Sequence, residues 1–172
     1  MILQTNRLIL RPLRQADDGT IFAIMSDDDT MRFWDCPALR DLETAADMVA
    51  GQIEGMAGGT ACYWAVELKP SGAFLGVCDL SEIDRRQRRA EVGFLFGRVW
   101  WGNGYAVEAM EAVISHAFGA LGLERLWARL HAGNESSRRL LERLGFSHEG
   151  TLKEHVVRDG ARRDCLIYGR LA

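Results

Sequence analysis

Residues 100–113 read WWGNGYAVEAMEAV, two glycines two places apart directly before a strongly helical run. The first four amides of a helix have no intrahelical partner and lie at the positive end of its dipole. Gly102 and Gly104 therefore admit two readings. They supply positive φ in a tight connection, or they leave the main chain bare so that a phosphate can meet its N–H groups. The helix itself is the clearest amphipathic segment of the chain. From Gly104 to Phe118, Ala106, Ala109, Met110, Val113, Ile114, Ala117 and Phe118 recur at i, i+3, i+4, i+7 spacing.

Upstream the period is different. ACYWAVEL, AFLGVCDL and RAEVGFLF are short β-rich segments separated by KPSG and the charged IDRRQR, the pattern of an antiparallel meander. Before them, Arg7 to Leu13 reads as a first strand and Ala16 to Met25 as a helix ended by the acidic run Asp27 to Asp29. A second helix starts at Asp41, a good N-cap, with Leu42, Ala46, Val49, Ile53 and Met56 on one side, and stops at Gly58 and Gly59. Downstream of the long helix, ERLWARLHA reads as a strand. Asn134 caps a short helix that ends at Gly145, and the chain closes with a hairpin turning at Asp159-Gly160. The order βααβββαβαββ predicts one mixed α/β domain over residues 1–172.

With 172 residues, 48% apolar and 26% charged, the chain can bury one substantial core and has no long polar tract. A formal net charge of −3 argues against a general nucleic-acid binder. Cys36, Cys62, Cys78 and Cys165 are widely spaced with no C-x-x-C pair, which suggests neither a zinc site nor a disulfide framework. The opening MILQTNRLILRPL lacks a signal-peptide core, and no apolar run approaches the ~20 residues that span a bilayer. The expected location is the cytoplasm, away from membranes.

The glycine pair does not complete a known nucleotide fingerprint. Val107 stands where the third glycine of G-x-G-x-x-G belongs, no βαβ unit opens the chain, and no G-K-[ST] follows. An oxidoreductase binding a dinucleotide is thereby disfavoured.

Taken together, EVGFLF, WWGNGYAVEAMEAV and, about thirty residues on, NESSRRLLERLGF resemble the GCN5-related N-acetyltransferases, and TNRLILRPL resembles their RimJ/RimL-like ribosomal-protein branch. The resemblance runs from Thr5 to Leu171. It implies a mostly antiparallel twisted sheet of about seven strands with a splayed parallel pair formed by the fourth and fifth, flanked by about four helices. It also implies acetyl-CoA as co-substrate, its pyrophosphate held by main-chain amides of Gly102, Asn103, Gly104, Tyr105 and Ala106, and its pantetheine beside Phe94, Leu95 and Phe96. One departure is Val99, where the family often has Gln or Arg.

Acetyl transfer to an amine needs a donor for the oxyanion, a base for the ammonium and a proton for the thiolate. An amide near Leu95 or Phe96 is expected to serve the oxyanion. Glu91 is the first candidate base, with Asp79 and Glu82 behind it and His131 a minor one. Family members with a tyrosine acid place it four residues before the G-F pair, which here is Leu141. The branch pattern N-x-x-S is matched by Asn134 and Ser137, so Ser137 is the expected partner of the sulfur and Asn134 a cap with cofactor contact. Arg138 and Arg139 could reach the 3′-phosphate or adenine, or simply form a solvated helix face. Tyr168 faces either the acceptor or the core. Trp100 and Trp101 are expected beneath the loop.

The expected reaction is direct attack in a ternary complex by a primary amine, on a protein N-terminus or a small molecule, with no metal and no nucleic acid partner. Relatives in this branch often pair as homodimers, which the sequence of this chain neither requires nor excludes. A module that binds acyl-CoA without turnover is the competing reading. DDDTMRFWDCPALRD, residues 27–41, is expected near the acceptor.

Overall fold

In the computed structural model, which describes residues Met1–Ala172, one eight-stranded sheet runs in the order β1-β2-β3-β4-β5-β6-β8-β7. The strands are β1 (Leu3–Gln4), β2 (Leu8–Pro12), β3 (Cys62–Leu68), β4 (Phe74–Asp84), β5 (Arg89–Phe96), β6 (Arg125–His131), β7 (Ser147–Arg158) and β8 (Ala161–Leu171). The helices are α1 (Asp18–Met25), α2 (Leu42–Ala57), α3 (Tyr105–Gly119) and α4 (Glu135–Arg143). The strand beyond the expected seven is β1, a two-residue edge on β2 that carries no period of its own. The expected fourth and fifth strands are thus β5 and β6.

All pairings are antiparallel except β5 with β6. Parallel neighbours need a crossover, which α3 supplies. Their ladder is short: Arg89 faces Arg125, Ala90 faces Leu126, Glu91 faces Trp127, and there it ends. Meanwhile β6 stays paired with β8 along its whole length, Arg125 to His131. Beyond Glu91 the two parallel strands therefore diverge, each held by its outer neighbour.

Alternation sends the two sheet faces to different cores. Ala90, Val92 and Phe96 of β5, with Leu126, Ala128 and Leu130 of β6, pack under α3 and α4 together with Ala109, Met110, Val113, Ile114, Ala117 and Leu141. Leu95 and Val77 face the other way, among Ile21, Met25, Ala45 and Val49 of α1 and α2.

The local signals work as their chemistry requires. The Asp41 carboxylate accepts from Thr44 N–H at 2.7 Å, and Asn134 Oδ1 accepts from Ser137 N–H at 3.2 Å. Asp159 and Gly160 both take positive φ, 55° and 74°, the requirement of a two-residue type I′ hairpin turn. Two expectations shift. Leu42, at the first position of α2, is half exposed, and Ala45 takes the inward place beside Val49. The first helix opens as a 3-10 turn over Gln15–Asp17.

Asp17 explains that turn. It is buried, it accepts from Arg14 N–H at 2.8 Å, and it takes a two-pronged contact from Arg11 at 2.7 and 2.8 Å, while Arg11 Nε binds Glu67 at 2.7 Å. Burial raises the Asp17 carboxyl, but Arg11 and the Arg14 amide outweigh it, and the net shift is below the ordinary aspartate value. Neutralising Asp17 leaves the Arg11 guanidinium with Glu67 alone and the Arg14 amide with a weaker acceptor, so Asp17→Asn is expected to cost about 3 kcal/mol at pH 7. Because the folded-state pKa is depressed, this contribution is present above the unfolded value and lost as pH falls through the folded one. Denaturant melts should show the gap between wild type and variant closing below about pH 4.

Candidate active site

Gly102 and Gly104 adopt φ of 76° and 75°, and Gly104 is the N-cap of α3. The positive φ makes the turn, and the turn leaves the amides that follow without protein partners. The N–H groups of Gly102, Asn103, Gly104, Tyr105, Ala106 and Val107 donate to no protein acceptor. Six consecutive N–H groups without protein partners at a helix N-terminus are the kind of donor set that binds anions.

The loop is braced from three sides. The Asn103 side chain donates to the carbonyls of Trp100 and Trp101 at 3.2 and 3.0 Å. Trp101 Nε1 donates to Phe96 O at 2.8 Å, fixing the loop to the end of β5 although the indole is half exposed. Glu108, one turn into α3, accepts from Thr5 Oγ1, from Arg7 N–H and from Arg7 Nε at 2.5, 2.9 and 2.6 Å. Arg7 also donates to Asn103 O at 3.1 Å and lies 4.5 Å over the Tyr105 ring. Glu108 sits four residues after Gly104, and its partners lie in TNRL. That ion pair was not anticipated, because neither residue has a partner nearby in sequence.

Where β5 leaves β6 the strand exposes its own donors. Gly97 N–H bonds Leu75 O on the β4 side, and Phe96 O points away from β4 to meet Trp101. By alternation the amides of Phe94 and Phe96 face the gap, and Leu95 faces β4. Leu95 thus lines this region only through its neighbours, its side chain lying under α1 and α2.

The face opposite α3 carries the ionisable groups. Tyr63, Asp79 and Gly93 stand in one row across β3, β4 and β5, and Ser81 and Glu91 in the next. A Cβ at Gly93 would overlap the Asp79 carboxylate, so that carboxylate lies across β5 just where β6 departs. Burial pushes Asp79 up to about 7, with Glu91 adding to the rise and Ser81 opposing it. Burial also raises Glu91, against the pull of Arg129. Burial, Asp79 and Glu91 push the Tyr63 hydroxyl up to about 12. Across the gap Arg129 Nε lies 3.4 Å from Glu91, and its Nη2 lies 3.8 Å from Asp35. His131, 3% exposed, meets Asp35 through Nε2 at 2.7 Å, and its Nδ1 is buried without a partner.

A sequence profile described as the acetyltransferase (GNAT) domain matches residues 7–147. The chain belongs to the GNAT acetyltransferase family. It is 32% identical over 167 residues to an uncharacterised N-acetyltransferase, YoaA, of Bacillus subtilis, covering 97% of this chain and 94% of that one. It is 32% identical over 110 residues to the ribosomal protein uS5-alanine N-acetyltransferase of Escherichia coli, covering 63% and 57%. Its fold superposes with TM-score 0.90 on RimL, a ribosomal L7/L12 α-N-protein acetyltransferase solved with coenzyme A, at 19% identity over 99% and 98% of the two chains. Acetyl-CoA is the acetyl donor in this family.

In this acetyltransferase the remaining expected residues fall into groups. Asn134 and Ser137 start α4 beyond the end of β6. The Ser137 hydroxyl has no hydrogen-bond partner and is partly buried. Arg138 is held by Glu135 at 2.6 Å and Glu142 at 2.8 Å on its own helix, which takes up the guanidinium expected for a phosphate. Leu141 is core, as is Tyr168, whose hydroxyl points to Glu142 on the α4 side, away from the acceptor face. Glu82 occupies the bulge of β4 with φ of 49°, away from the Asp79 row. Trp100 packs beneath the loop against Tyr105. In residues 27–41 most acidic groups are structural: Asp27 caps Thr30, Asp27 and Asp29 hold Arg98, and Asp28 pairs with Arg40. Asp35 alone meets the ionisable cluster, and its loop is pinned by Arg158 and Arg163 of the last hairpin through the carbonyls of Trp34 and Arg32.

Gly104→Val would place a β-branched residue at φ of 75° and crowd Arg7. The left-handed penalty of about 1–2 kcal/mol must be met or the amides must turn away. Acetyl-CoA affinity by calorimetry is expected to fall at least tenfold, with the fold retained by circular dichroism.

Proposed function

We propose that this protein transfers an acetyl group from acetyl-CoA to the α-amine of a protein N-terminus, by direct attack in a ternary complex. The observation that carries this is the run of six free amides opening onto the gap of β5 and β6, with a carboxyl pair on its other side. The pyrophosphate sits on the amides of Gly102, Asn103, Gly104, Tyr105 and Ala106. The thioester lies beside Phe94 and Phe96, whose gap-facing amides bind pantetheine and the developing oxyanion. Ser137, capped by Asn134, serves the departing thiolate. The proton of the incoming ammonium goes to the carboxyl pair that includes Glu91. The protein acceptor is supported by the uS5-alanine relative, and four unbonded thiols fit a cytoplasmic setting.

Calorimetry with acetyl-CoA, coenzyme A and NAD, followed by thiol release with a peptide bearing an N-terminal alanine, tests the reading. Micromolar acetyl-CoA binding, no NAD binding and peptide-dependent thiol release are expected. Saturable binding with no thiol release from any amine would make the protein a binding module instead. Ser137→Ala is expected to lower kcat roughly a hundredfold while leaving acetyl-CoA affinity within about twofold.

A further inference from the structure

We propose that Asp79 on β4 is the residue that takes the ammonium proton, while Glu91 stays ionised beside Arg129 and holds the incoming ammonium. The inference rests on the acetyl-transfer reading and names the base within it.

The two carboxyl groups sit diagonally on adjacent strands, in the Tyr63–Asp79–Gly93 row and the Ser81–Glu91 row. Their surroundings differ. Glu91 has a cation within reach, Arg129 Nε at 3.4 Å. Asp79 has none. From β3 it meets Tyr63, from its own strand Ser81, and from β5 Glu91 and the bare backbone of Gly93. Toward α1 and α2 the next row is Ala65, Val77 and Leu95, all apolar. The charges farther across the gap, Arg129 and Asp35, are engaged with Glu91, with each other and with His131.

One of these neighbouring carboxyls faces a cation and the other does not, and two such groups divide the roles of ion and proton acceptor. Gly93 matters because the missing Cβ lets the Asp79 carboxylate lie over β5, where β6 has left and the reacting carbon has room. In the step, the Asp79 carboxylate takes a proton from R–NH3⁺ and the amine nitrogen bonds the thioester carbon. The C–S bond then breaks, and coenzyme A leaves as the thiol with the second nitrogen proton. Asp79 returns its proton to solvent, so one proton is released per turnover.

The test compares wild type, Asp79→Asn and Glu91→Gln in two measurements. Carboxyl carbon NMR on aspartate-labelled protein without substrates should show one aspartate titrating near 7, with burial as the main cause and Glu91 as a contributor. That signal should vanish in Asp79→Asn and titrate at lower pH in Glu91→Gln, which removes the neighbouring negative charge. The kcat/KM profile with acetyl-CoA and the N-terminal alanine peptide should rise with pH through the same inflection, beside the peptide amine's own near ~8. Asp79→Asn should lose the enzyme inflection with a roughly hundredfold fall. Glu91→Gln should keep it, displaced downward. Loss of the inflection in Glu91→Gln with a mere displacement in Asp79→Asn overturns the assignment, as does the absence of an aspartate titrating near neutrality. Thermal melts and acetyl-CoA affinity establish that Asp79→Asn is folded; if it is not, Glu91→Gln still decides. Absence of thiol release in wild type counts against the acetyl-transfer reading, and the NMR titration tests Asp79 separately.

Discussion

Everything at the centre of this molecule depends on two parallel strands that stop pairing. After Glu91 and Trp127, β5 and β6 follow their outer neighbours β4 and β8. Backbone N–H and C=O groups inside a sheet must find partners, and an unpaired one buried from water costs roughly as much as a lost hydrogen bond. The amides of Phe94 and Phe96 are left facing open space. The fold answers one of these demands itself, with Trp101 taking the Phe96 carbonyl. What remains is a strand edge in the interior, able to accept an extended chain as a further strand. The loop that follows places six more unpaired donors at one end of the same gap. A ligand with an anionic end and an amide-bearing arm meets both requirements.

The opposite side of the gap is governed by charge rather than by backbone. The apolar row Ala65, Val77 and Leu95 lies under α1 and α2, and the carboxyl groups begin one row farther along. Next to that apolar row, desolvation disfavours the charged form of Asp79. Burial raises Glu91 as well, and Arg129 opposes that rise. The ion pairs of Arg129 with Glu91 and Asp35, and the contact of His131 Nε2 with Asp35, join β5, β6 and the loop after α1 into one chain of contacts. A cationic amine entering here meets negative charge that is already anchored and does not need to rearrange on its arrival.

The parts of this structure legible in the sequence were those written by local periodicity and caps. The inward stripe of α3, the meander of β3 to β5, the caps at Asp41 and Asn134, and the Asp159-Gly160 turn follow from rules that act within a few residues. The strand β1 escaped because two residues carry no period. Leu42 fits the apolar stripe of a helical wheel, but it is the first residue of α2, and the buried contacts begin with Ala45. Glu91 shares a strand face with Gly93 and Leu95, and only the assembled sheet shows that this face lies opposite α3. Contacts such as Glu108 with Arg7, Arg129 with Glu91 and His131 with Asp35 join residues 38 to 101 positions apart, and no local rule encodes them. Arg138 shows a different limit: basic residues at a helix start suggest a phosphate, and only the helix geometry shows that Glu135 and Glu142 also lie within reach of the same guanidinium.

The two sides of the gap place different demands on sequence. Cofactor contacts made by main-chain amides depend on conformation, so they require glycine at positive φ and a firm anchor but tolerate change elsewhere. Val99 illustrates this: it is 81% exposed, and the run of free amides begins only beyond it. The acceptor side is built from side chains, and each substitution there alters charge or reach directly. Asp35, the one acidic group of its segment that enters the ionisable cluster, sits on a loop held by Arg158 and Arg163 of the β7–β8 hairpin. On the proposed reading, acceptor choice is tied to two segments outside the α3 scaffold. The free amides before α3 and the ionisable side chains across the gap are held by separate sets of contacts, so on the proposed reading substitutions can change the amine accepted while leaving the phosphate-binding backbone in place.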